Sequence, residues 1–185
     1  MARTSIGFFL LVLLFSALSR GNASARESGN LYDAYGRSGK VKIYVDELTD
    51  ESGTGKMDLA GLKAALIKSF SGRKSVAIEP VSDRKDADLV VAANVTEYYW
   101  TEHDPTDFLV GLGGTIYDAM TQEHYARLQA VFTVSDTRTN RVAWHEKLKT
   151  TVTDATMTEA ESVGRVNEGI SKVFIKECFG KKRAR

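Results

Sequence analysis

Apolar and polar residues alternate along four stretches of this chain and recur at three- and four-residue steps along two others. Val41, Ile43 and Val45 alternate with Lys42, Tyr44 and Asp46, the period of a strand with one buried face. Leu89 to Thr96 is apolar at nearly every position and then alternates, which fits a strand in the interior of a sheet. Leu128, Ala130, Phe132 and Val134 alternate with Gln129, Thr133 and Ser135, and Val142 to Thr151 returns with Val142, Trp144 and Leu148 on one face. The turn-forming cluster Asp136 to Asn140 between them predicts an antiparallel hairpin. A shorter strand, Val76-Ala77-Ile78, is stopped by Pro80 and followed by the charged turn Asp83 to Asp86.

Two helices are written in the other periodicity. Asp58 can cap a helix whose apolar residues are Leu59, Leu62, Leu66, Ile67 and Phe70, with Met57 and Leu62 placed as a hydrophobic staple and Gly72 at the end. Thr158 and Glu161 have the spacing of a capping box, and Val163, Val166, Ile170, Val173 and Phe174 form the stripe behind it. The order β-α-β-β-loop-β-β-α predicts an α+β domain, a mostly antiparallel sheet of about five strands with two helices packed on one face.

The first 25 residues read differently. Arg3, the apolar run Ile6 to Leu18, the polar Ser19 to Asn22 and the small-residue pattern Ala23-Ser24-Ala25 follow the order of a cleavable export leader. That run is shorter than the roughly 20 helical residues needed to span a bilayer, so release after Ala25 is expected, with no transmembrane segment once the leader is gone. With no cysteine near the junction for a lipid, the expected location is the periplasm as a free protein. Residues 26–39, with three glycines and no period, predict a flexible arm. Residues 40–180 are expected to be a single domain, and 181–185 a basic tail that suits a helix C-terminus.

The net charge of +1 argues against nucleic acid as a partner, because phosphate binding concentrates excess cations. Cys178 is alone, so no internal disulfide forms, and a half-buried packing role is expected for it.

The candidate chemistry lies between Tyr98 and Tyr125, a connection long enough to point to function. Gly111, Gly113 and Gly114 lack the spacing and the lysine of a phosphate cradle, and Lys56 is followed by Met57 where a magnesium ligand would be needed. Glu102, His103, Asp104, Glu123 and His124 carry metal-binding side chains but no two at helical ligand spacing, so no metal or cofactor is expected. No nucleophile elbow is present, and His145 reads as an outer-face strand residue. No catalytic residue is assigned, and the expectation is not an enzyme. Trp100, Phe108, Leu109, Leu112, Ile116 and Tyr117 remain, an apolar set that either covers the open sheet face or meets a partner.

Val41 to Asp46, then Lys85 to Val91, then Phe132 to Trp144 with its Val134-Ser-Asp136-Thr-Arg-Thr hairpin, resemble envelope domains related to the curli-secretion protein CsgG and the TolB N-terminal domain. A similar strand order occurs in the lipopolysaccharide-assembly lipoprotein LptE. The resemblance implies a non-catalytic part in envelope assembly or secretion, with an envelope protein or a second copy as partner. The alternative is a carrier holding a small ligand or lipid between sheet and helices near Trp100.

Overall fold

The computed structural model describes residues 30–35, 40–71, 76–102 and 124–180. The elements are α1 (Tyr32–Tyr35), β1 (Lys40–Asp50), α2 (Leu59–Phe70), β2 (Ala77–Pro80), β3 (Leu89–Thr101), β4 (His124–Asp136), β5 (Arg141–Asp154) and α3 (Glu159–Phe179), with a 3-10 turn at Arg84–Asp86. The leader and the basic tail lie outside the described residues.

The five strands lie in the order β2-β1-β3-β4-β5. This is α+β, but the sheet is mixed rather than mostly antiparallel. β1 runs parallel to both β2 and β3, and only the β3–β4 and β4–β5 pairs are antiparallel. The cause is in the connections. The helix α2 between β1 and β2 carries the chain back to the starting end of the sheet, and a return of that kind makes neighbours parallel. The segment 81–88 then passes from one side of β1 to the other: the Val81 amide donates to the Ile43 carbonyl at 2.9 Å and the Asp88 amide to the Lys42 carbonyl at 2.9 Å.

Both helices start where the sequence placed them. Asp58 accepts from the Gly61 amide at 2.8 Å, and Thr158 and Glu161 complete the capping box reciprocally. The helices pack against each other and against the sheet, so the core is one layer between them and the inner faces of the strands. Phe174 of α3 is its centre, stacked on Phe132 of β4 at 4.7 Å and edge-on to Trp144, Phe70 and Phe179 at 5.6, 6.5 and 6.3 Å. Cys178, expected half-buried, is fully enclosed beside them.

Residues 30–35 are tied to the body of the fold. Leu31 is buried in the core, its amide donates to the Cys178 carbonyl at 2.8 Å, and the Asn30 side chain donates to the carbonyls of Glu177, at 3.0 Å, and Gly180. These bonds satisfy carbonyls that the end of α3 leaves open.

Truncating Phe174 to Ala should cost about 3–5 kcal/mol of unfolding free energy, the range for large buried aromatics. Val142→Ala, at a side chain 61% exposed, should change it by less than about 0.5 kcal/mol. Urea unfolding of the two variants checks the contrast.

Candidate functional site

β3 and β4 end together where the long connection leaves and returns. Within that connection, Phe108, Leu109, Leu112, Ile116 and Tyr117 lie outside the described residues, as do His103, Asp104 and Glu123. Trp100, Glu102 and His124 are described.

A bulge decides which aromatic side chains point where. The β3–β4 register slips between Val95 and Glu97, leaving Thr96 as the extra residue. Simple alternation from Val95 would send residues 97 and 99 inward. The slip instead turns Tyr98 and Trp100 toward the helices and Tyr99 outward.

On the inner side, Tyr98 is buried, and its hydroxyl pairs with Ser162 Oγ at 2.7 Å. Burial raises the Tyr98 pKa above its ordinary value. Trp100 stands edge-on to His124 with ring centroids 5.8 Å apart, and its indole N–H is buried without a hydrogen-bond partner among the described residues. His124 Nδ1 is hydrogen-bonded to the Met157 carbonyl, which ties the start of β4 to the entry of α3.

On the outer side, Glu97 receives hydrogen bonds from Arg127 and Gln129, the Arg127 guanidinium lies 5.9 Å over the Tyr99 ring, and Tyr99 meets Tyr125 edge-on at 6.3 Å. These residues form a flat polar-aromatic platform. No group of three or more His, Cys, Asp or Glu side chains that could hold a metal ion occurs among the described residues.

The sheet edge beside this platform is β5, fourteen residues bonded, among the described residues, to β4 alone. A second bulge slips its register between Val134 and Ser135, so that Val142 faces outward and Trp144 inward. The sequence had put Val142 on the Trp144 face. The outward row of β5 is therefore Val142, His145, Lys147, Lys149, Thr151 and Thr153, all exposed. His145 takes the outer-face place expected of it and pairs with Thr133 Oγ1 at 2.9 Å.

At the opposite end of the sheet, a cleft of about 310 Å³ is lined by Tyr35, Lys40, Val41, Asp88, Asp136 and Arg138 among others. The Tyr35 hydroxyl donates to Asp136 Oδ2 at 2.7 Å, and that bond, with others from Thr139, holds the Asp136 carboxyl below its usual pKa. Burial and the same bond push Tyr35 up to about 12. The Tyr35–Asp136 bond fastens α1 to the sheet.

No protein-family model matches the chain, and no curated protein matches it in sequence. Solved structures with a similar layout include the PelC dodecamer of Paraburkholderia phytofirmans, at 11% identity over 76% of this chain and 89% of that one, TM-score 0.48. Protein XCC0632 from Xanthomonas campestris gives 10% identity over 74% and 82%, TM-score 0.47. Lipoprotein GNA1162 from Neisseria meningitidis gives 13% over 68% and 92%, TM-score 0.39. These likenesses concern the arrangement of strands and helices. None of these three structures is CsgG, TolB or LptE.

Tyr35→Phe should lower stability near neutral pH by about 1–2 kcal/mol, the range for losing a hydrogen bond to a charged acceptor at a partly exposed site. The bond favours the charged carboxylate, so its contribution is present above the unfolded Asp pKa and is lost as pH falls through the depressed folded one. The gap between variant and parent should therefore close in acid, as denaturant titrations at several pH values would read.

Proposed function

We propose that this chain is a non-catalytic accessory protein of the bacterial cell envelope, exported to the periplasm, that works by binding another envelope protein. Its contact surface is the β5 edge together with the rim around Trp100 and the apolar connection rooted there.

The observation that carries this reading is the contrast between a filled interior and an open edge. The space between sheet and helices is occupied by Phe70, Phe132, Trp144, Phe174 and Phe179, each with at most 1% of its surface exposed. A carrier would need room between sheet and helices, and the packing around Phe174 leaves none there, which favours binding at the surface. The edge is a full-length strand with one neighbour among the described residues, and such a strand offers a ladder of backbone groups to an incoming segment. The leader pattern at residues 1–25 supports export, and the near-neutral charge supports a protein partner over nucleic acid.

The test is site-directed photocrosslinking in the native host. A crosslinking residue at Lys147 or Thr151 should capture a discrete envelope protein, whereas one at Lys172, on the exposed side of α3, should capture none. Intact-mass measurement of the same material should find a chain starting at Arg26. Absence of adducts from both edge positions would remove the binding reading, and a retained leader would remove the periplasmic one.

A further inference from the structure

The outward row of β5 has a charge pattern of its own. Lys147 and Lys149 are adjacent on that row, exposed, and joined to no carboxylate among the described residues. Their cross-strand neighbours on β4 are Val131 and Gln129, so the sheet beside them supplies no counter-charge either. Arg141 opens the same strand, exposed and joined to no carboxylate among the described residues. Val142, 61% exposed, adds an apolar position at the same end. Among the described residues, 141–154 make no backbone hydrogen bond outside the β4 ladder.

Lysines on an edge strand commonly serve only to repel wrong partners. Their spacing here also defines a right one. Joining two copies along β5 by a twofold axis normal to the sheet sets same-face residues against each other, with residue numbers that add to an even constant. Every such register near the middle of the strand then places Lys147 against Lys147, Lys147 against Lys149, or Lys149 against Lys149. Like charges directly opposite destabilise a pair of strands, so the edge rejects its own copy in this mode. The far edge of the sheet is no better a mate. Its edge strand β2 spans only Ala77–Pro80, and the stretch of β1 that β2 leaves uncovered, acidic at Asp46, Glu47 and Asp50, slips in register between Val45 and Leu48, with Asp46 already held by Arg84 at 2.9 Å. A slipped, occupied strand does not present a regular ladder.

We infer that β5 receives, as a sixth strand, an extended acidic segment of another protein. That segment carries carboxylates at two alternate positions facing Lys147 and Lys149 and an apolar residue over Val142. The inference rests on the protein-binding reading above and specifies its partner's chemistry. Opposite charges across a strand pair supply register and selectivity, while the backbone ladder supplies most of the attraction.

The experiment uses the purified full chain and a synthetic peptide as long as β5, alternating glutamate and valine with leucine at one end. Hydrogen exchange of the β5 amides should slow by about tenfold or more at saturating peptide, and a peptide with lysine in place of glutamate should leave it unchanged. Lys147→Glu with Lys149→Glu should reverse the preference, so that the lysine peptide now protects the edge. This reversal also reports that the variant is folded. No protection by either peptide, equal protection by both, or protection that grows with protein concentration without peptide would each overturn the inference. Edge crosslinks to an envelope protein that persist while the peptides fail would sink the acidic-strand chemistry and leave the binding reading standing.

Discussion

The ring of Phe174 is where the layers of this fold meet. It touches α2 through Phe70, β4 through Phe132, β5 through Trp144 and the end of its own helix through Phe179. Helices and strands that are far apart in the chain are thereby fixed to a single point, and each of those five side chains is almost wholly removed from water. Aromatic pairs in edge and offset geometries add to the burial itself, so the cluster stabilises through shape as well as area. Gly169 extends the same contact along β5. A Cβ there would come within 2.6 Å of Thr150 Oγ1, so the absent side chain is what lets α3 lie close to the strand.

A core anchored in this way frees the outer face and the edge from structural duty. The platform of Glu97, Arg127, Gln129 and Tyr99 and the lysine row of β5 are both on the side of the sheet away from Phe174. Glu97 is linked to Arg127 and Gln129, and none of these bonds reaches a helix. The two bulges sharpen this division. Thr96 sends Tyr98 inward to bond Ser162, and the slip near Ser135 sends Val142 outward to the edge.

Much of this was legible in the sequence, because the periodicities report burial and the caps report where helices begin. Asp58 and Thr158 cap as their side chains require, and the hairpin at Asp136 to Asn140 forms where turn-prone residues cluster. Periodicity of two tells which face of a strand is buried but not its neighbours or direction, so the parallel pairing of β1 with β2 and β3 was invisible. Bulges hide for a related reason. One extra residue shifts every later side chain, and nothing local at Thr96 or Ala143 announces it. Trp100 was legible as a large aromatic at a strand end. The lysines of β5 could be placed on an outer face, yet their position on an edge depends on the order of strands. Residues 30–35 carry no repeating pattern, and the partners that hold them are remote in the chain: Cys178 for Leu31, Glu177 and Gly180 for Asn30, Asp136 for Tyr35.

That last attachment bears on the order in which the molecule can be completed. The Asn30 side chain bonds to carbonyls 147 and 150 residues further on, and Leu31 enters a core that also needs the last turn of α3. Asn30 has nothing to fasten to until the final helix has been made, so the last piece to arrive is the one that locks the first in place.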